Sequence, residues 1–421
     1  MKILYVSQYF PPEMGAPSAR ASELARHWVR ECHEVTVLTG FPNHPTGVVA
    51  AEYRGKLRRL VMRESWNGVS VVRTWLWPLP NRKAHERILN YGSFALSAAA
   101  TGLLGPRPDI VIASSPQLLV GLSGWWLARC KRVPFVFEVR DLWPESLAAV
   151  GMGNSHSLLH RGLAGIAGLL YRHCDHIVVV TRAFKEHLVR HWHVPPGKIS
   201  IVENGVETEI FAPREAFQLR GELSAQKKFV VSYIGTIGMA HGLETLLDAA
   251  YRLQTAQPEV LFLLVGEGAE KERIAKLANS RSLSNVRFLP QQPHDSIPAY
   301  ICGSDACLVL LKKSELFRTV IPTKMLEFMS CARPVILGVD GESRNILEDA
   351  QAGIYVEPQD PDQLAQAVLR LAADESLRET LGHNGRRYIV QNLSRRHTAH
   401  RYIDVLTWVL GKPEREKSAA A

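Results

Sequence analysis

The chain has no Cys-x-x-Cys pair, and no paired His cluster completes a zinc site with its six scattered cysteines. That excludes a zinc ribbon or finger and argues for reduced thiols in a cytoplasmic protein. The N-terminus has no long apolar segment and no small-residue cleavage site after Lys2, so no secretory signal is expected. No RNA-binding signature or long basic stripe accompanies the formal charge of +9, so nucleic acid is not an expected partner. Anionic lipid surfaces and phosphorylated small molecules remain as partners for that charge. Disorder is not expected either, because 46% of residues are hydrophobic and 22% are charged. The exception is the tail 412–421 (KPEREKSAAA), which has no large apolar residue.

What is present is a repeated strand-loop-helix pattern. With 421 residues the chain suits two domains. Lys2–Ser7 is an apolar run of strand length, followed by a Pro- and Gly-containing loop, a helical pattern from Ser18 to Arg30, and a second strand at Glu34–Leu38. Strand candidates continue at Val69–Arg73, Ile110–Ala113, Phe135–Glu138, Ile177–Thr181 and Ile199–Val202. After the Asn204-Gly205-Val206 turn the pattern restarts at Phe229–Ile234, with later strands at Leu261–Val265, Val286–Phe288, Ala306–Leu310, Pro334–Leu337 and Ile354–Val356. The expected fold class is therefore α/β, two Rossmann-like doubly wound domains facing across a cleft, spanning 1–206 and 207–393.

Four strand-end loops carry candidate chemistry. Gly15, in PPEMGAPSAR, permits close backbone approach ahead of a helix N-terminus. Gly235, Thr236, Gly238 and His241 lie in GTIGMAHG, whose spacing is not that of a dinucleotide fingerprint but suits N–H contacts to a diphosphate. Gly266 and Glu267 form a third turn. In IPTKMLEFM, Pro322 opens a helix, Thr323 and Lys324 offer N–H groups and a cation to phosphate, and Glu327 shares the face of Lys324. Glu327 would accept hydrogen bonds from ribose hydroxyls, or simply form a surface ion pair. Glu138, Asp141 and Glu145 are carboxylates near one strand end, each equally able to cap a helix, and Asp141 ranks first because it follows the Phe135–Glu138 strand directly. No metal-ligand cluster is expected.

Basic clusters occur at Arg54–Arg59 and at 81–83 (NRK), the second after Trp75-Leu76-Trp77 and before an uncharged stretch, Ile88 to Gly105. Aromatics beside cations at the edge of an apolar segment suit a membrane interface. A plain core helix is the other reading; a true span would break the first domain.

In order and spacing, MKILYVSQYFPPEMGAPSARASELARHWVRECHEVTVLTGFPNHP, DLWPES, VENGVETEIF, GTIGMAHGLETLLDA and IPTKMLEFMSCARPVILGVDGES resemble the retaining glycosyltransferases of family 4. The likeness is greatest to the group that builds O-antigen, capsule and colanic acid. It implies a GT-B fold, with the donor nucleotide in the C-terminal domain, the acceptor on the N-terminal one, and no metal or other cofactor. It also implies a last helix, 394–411, that crosses back to the first domain. Similarity to fucosamine and fucose transferases implies a UDP- or GDP-linked sugar. The expected acceptor is a polyprenyl-diphosphate-linked glycan, met at the cytoplasmic surface of the inner membrane.

Departures from the family pattern are specific. Thr236 and His241 stand where the broad family has Arg and Lys, Thr319 stands where it has the first Glu of its pair, and Arg140 replaces a His before Asp141. Lys324, Arg318 and Arg140 are the expected replacement cations, with Arg140 and Asp141 as the catalytic candidates. These departures also admit a sugar-nucleotide 2-epimerase or a non-catalytic partner subunit.

Overall fold

A computed structural model describes residues 1–44, 47–79, 84–145 and 158–411. The expected tail, the 81–83 cluster and the last residue of DLWPES lie outside the described residues. The chain divides into two compact units: unit 1 contains Met1–Asn204 and the segment from Thr398 onward, and unit 2 contains Gly205–His397.

Unit 1 is built on eight strands: β1 (Lys2–Val6), β2 (Glu34–Gly40), β3 (Val61–Trp66), β4 (Val69–Thr74), β5 (Ile110–Ser114), β6 (Phe135–Val139), β7 (His176–Val179) and β8 (Ile199–Ile201). Their order is β3-β4-β2-β1-β5-β6-β7-β8. β5 and β6 are buried along their whole length, as expected for strands covered on both faces. All pairs are parallel except β3–β4. That edge hairpin was not expected from the sequence. Its turn is Asn67-Gly68, with φ of 48° and 82°, the left-handed pair that a two-residue hairpin requires.

Helices α1 (Ala16–Arg30), α2 (Ala84–Leu103), α3 (Leu119–Lys131), α4 (Leu158–His173) and α5 (Arg182–Trp192) connect these strands. α2 covers most of the stretch Ile88–Gly105. Asn90, Phe94 and Ala98 form a buried stripe at a four-residue spacing, while Ile88, Leu89, Leu96 and Leu103 are exposed. Among the described residues no helix is long and apolar enough to cross a membrane.

Unit 2 has six parallel strands: β9 (Phe229–Ile234), β10 (Val260–Val265), β11 (Val286–Leu289), β12 (Ala306–Leu310), β13 (Val335–Gly338) and β14 (Gly353–Tyr355). Their order is β11-β10-β9-β12-β13-β14. Its longer helices are α6 (Glu244–Ala256), α7 (Lys271–Ser280), α8 (Thr323–Ser330), α9 (Glu342–Ala350), α10 (Pro361–Ala373) and α11 (Glu375–Tyr388). Two apolar clusters, one on each sheet face, form its core.

The last helix, α12 (Arg395–Gly411), follows from its sequence. Ala399, Tyr402, Ile403, Leu406 and Val409 recur at helical spacing, and all five join the core of unit 1. Trp28 of α1 anchors it: its indole N–H donates to the Ala399 carbonyl at 3.1 Å, and its ring meets Tyr402 edge-on.

Candidate active site

In unit 2 the candidate residues gather where β9, β10 and the start of α8 converge. The β9 and β10 loops run side by side, with Gly235 N–H donating to the Val265 carbonyl and Ile237 N–H to the Glu267 carbonyl, both at 2.9 Å. This pairing explains the glycines. Gly266 and Gly268 have φ of 151° and 156°, and a Cβ on either would collide with a carbonyl oxygen of the neighbouring loop, of Gly235 or Ile237. The Glu267 carboxylate is held by Lys271, one turn on, at 2.5 Å.

Pro322 caps α8, so Thr323 and Lys324 occupy its first turn, where helix geometry leaves N–H groups without intrahelical partners. The Lys324 ammonium folds back over the Tyr233 ring, 4.0 Å from its centroid. It comes so close to Gly235 that a Cβ there would lie 2.8 Å from Nζ. Nζ is buried and has no hydrogen-bond partner. Burial pulls its pKa down to about 7, although the charge of Glu327 raises it. Tyr233 is fixed by donating its hydroxyl to the Thr236 carbonyl at 2.6 Å.

His241 lies beside the same ring and accepts from Gly238 N–H at 3.3 Å. Burial, and secondarily the Lys324 charge, depress its pKa to about 4, so it is neutral at pH 7. His241 therefore supplies no cation where the family pattern has Lys. Arg318 is also compensated: it pairs with Asp340 at 3.1 Å and Glu315 at 3.3 Å. Thr319 donates to the Leu316 carbonyl. Of the unit 2 cations expected at the site, Lys324 is the one without a carboxylate in hydrogen-bond contact.

In unit 1, Gly15 (φ 120°) precedes α1, and Arg140 and Asp141 follow β6. Arg140 donates its backbone N–H to Ser115 Oγ and its guanidinium to the Ala16 carbonyl, leaving Nε buried without a partner. Asp141 is half-buried, and burial raises its pKa to about 6 against the pull of Arg140.

The other two carboxylates of this region are structural. Glu138 is fully buried against Arg20 at 2.9 Å and accepts from Tyr5 at 2.8 Å. Burial is the largest influence and opposes its charge, but Arg20, Arg140 and the hydrogen bonds from Ser114 and Tyr5 together outweigh it, and its pKa is lowered. Glu145 pairs with His187 at 3.0 Å.

Glu13, which sequence reasoning passed over, is a further carboxylate and is buried. Its Oε1 accepts N–H groups of Asn43 and His44 at 2.8 and 2.9 Å, and burial raises its pKa to about 7. Tyr233 was also missed. Neither has a local sequence signal: the backbone that Glu13 holds is some thirty residues away, and the ammonium over the Tyr233 ring comes from α8.

Residues 215–388 match the family described as Glycosyl transferases group 1, and residues 15–205 match the Glycosyl transferase 4-like domain. A relative in Escherichia coli (strain K12), which bears the name colanic acid biosynthesis glycosyl transferase WcaI, is 25% identical over 87% of this chain and 91% of its own. Among solved structures, sucrose-phosphate synthase from Thermosynechococcus elongatus superposes with a TM-score of 0.76 at 20% identity, over 97% of this chain and 98% of its own. The Anabaena protein HepE in complex with UDP does so with a TM-score of 0.71 at 16% identity, over 97% of this chain and 100% of its own. These likenesses confirm the fold, and the two matched domains fill most of units 1 and 2. The chain belongs to the glycosyltransferases of the two-domain GT-B type.

Proposed function

We propose that the protein transfers a sugar from a UDP- or GDP-sugar to a lipid-linked glycan during assembly of a bacterial surface polysaccharide, with retention at the anomeric carbon. The observation that carries the donor half is the buried, partnerless ammonium of Lys324 at the N-terminus of α8 beside the Gly235 loop. A diphosphate would complete that arrangement. As the glycosidic bond breaks, negative charge grows on the leaving phosphate. Lys324, the first-turn N–H groups of α8 and the loop N–H groups would stabilise it. One such preorganised donor is worth about 3–4 kcal/mol in a transition state. Thr323 and the loop glycines Gly235 and Gly238 bring backbone to the phosphates; Glu327 receives ribose hydroxyls. Arg140 and Asp141 are the catalytic candidates that unit 1 carries.

The HepE structure holds UDP, and the WcaI name refers to colanic acid biosynthesis; both support this reading. The lipid half rests on the exposed apolar residues Trp77, Ile88, Leu89 and Leu96 of a chain that also exposes Arg58 and Arg59. Contact with the inner-membrane surface would then be peripheral.

A thermal-shift screen against UDP, GDP, dTDP and CMP, with and without EDTA, tests the donor half. The expected result is a shift with UDP or GDP that EDTA leaves unchanged. No shift with any nucleotide would refute it.

A further inference from the structure

The buried side-chain oxygens without a hydrogen-bond partner in unit 1 include Gln8 Oε1, Glu13 Oε2 and Gln117 Oε1. These three belong to one polar network at the carboxyl ends of β1, β2 and β5. Gln8 donates its amide to Asn90 at 2.6 Å. Asn90 donates to Asn43 at 3.3 Å and to the Trp77 carbonyl at 2.8 Å. Asn43 N–H in turn donates to Glu13. The Tyr9 ring packs on His44, 4.9 Å between centroids, and the Tyr91 and Gln117 side chains lie close to its hydroxyl. Arg73, whose charge acts on Glu13, is already held by Glu64 and by the Gly40 and Pro11 carbonyls.

Every unpartnered atom here is an acceptor. A phosphate would bring only more lone pairs, so this network is the chemical opposite of the Lys324 site. It suits a ligand that presents several O–H donors, and strand carboxyl ends are where such folds bind ligands.

We propose that Gln8, Glu13 and Gln117 form a saccharide subsite in unit 1, where Glu13 Oε2 accepts a hydroxyl of the acceptor's terminal sugar and so selects that sugar. The proposal rests on the transferase reading above and adds the residues that recognise the acceptor.

The test uses the full chain, with neutral monosaccharides (glucose, galactose, N-acetylglucosamine, rhamnose) as probes in saturation-transfer NMR and glucose 1-phosphate as the anionic control. Glu13→Gln keeps the acceptor for Asn43 and His44 but replaces the free oxygen with a donor. The expected result is binding of at least one neutral sugar to the wild type, weakened at least tenfold in Glu13→Gln, and no tighter binding of glucose 1-phosphate. The UDP or GDP thermal shift should be the same in both proteins. Gln117→Ala removes a second free oxygen and serves if Glu13→Gln fails to fold; it should weaken the same sugar. Equal sugar binding by wild type and the folded variants overturns the subsite, as does nucleotide binding without any sugar binding. Loss of all nucleotide and sugar binding in the wild type overturns the transferase reading as well.

Discussion

Lys324→Met should make the protein more stable while removing its function. The ammonium is buried without a hydrogen-bond partner, and burial lowers its pKa from 10.5 to about 7. A folded pKa below the unfolded value means that folding opposes the charged form. The cost is absent above pH 10.5, grows as pH falls toward 7, and is complete below that. The full gap corresponds to an upper bound of ~5 kcal/mol; relaxation and water entry reduce it to about 2–3 kcal/mol. Met keeps the apolar stem and packs on the Tyr233 ring without a charge to desolvate. For a domain the size of unit 2, the melting transition should rise by about 4–10 °C at pH 6.5, and by much less at pH 10. Differential scanning calorimetry at the two pH values measures this. An unchanged or lower melting temperature in Lys324→Met at pH 6.5 would show that the ammonium is not strained in the free protein.

Other expectations follow from the same geometry. Glu138→Gln leaves Arg20 as an uncompensated buried charge and should cost about 3–5 kcal/mol in urea denaturation; because the Glu138 pKa is lowered, its stabilisation should be present above the ordinary carboxylate range and fade as pH falls through the lowered value. Gly266→Ala places a methyl against the Gly235 carbonyl at φ 151° and should cost about 2–4 kcal/mol by the same assay, with loss of nucleotide binding. Leu96 and Leu104 are 76% and 86% exposed, so changing both to Glu should leave stability within about 0.5 kcal/mol and reduce sedimentation with anionic vesicles. Undiminished vesicle binding would remove that face from the membrane account.

Much of this architecture was legible because the deciding signals are local. Apolar runs such as FVFEV and VLFLLV can only be covered strands, and the 399-402-403-406-409 stripe declares a helix that needs a core. β3 was hidden because VMRESW lies at a sheet edge and carries Arg63 and Glu64, although the Asn67-Gly68 turn was its available signal. The site divides the same way. Helical spacing puts Lys324 and Glu327 on one face, but only the fold turns the ammonium over Tyr233 and gives Arg318 to Asp340. Glu13 sits in a proline-rich loop, and the backbone it holds is some thirty residues away. Glu138 looked available from its place at a strand end and is in fact sealed by Arg20, whose partners come from the far end of unit 1.

The most direct test is calorimetric titration of UDP and GDP into wild type and Lys324→Met at pH 8, in two buffers of different ionisation enthalpy. At that pH the free Lys324 is largely neutral, and a bound diphosphate should recharge it. The account predicts nucleotide binding with uptake of close to one proton by the wild type. It predicts binding weakened about 100-fold or more in Lys324→Met, without that uptake. Equal affinity and equal proton exchange in the two proteins would contradict it.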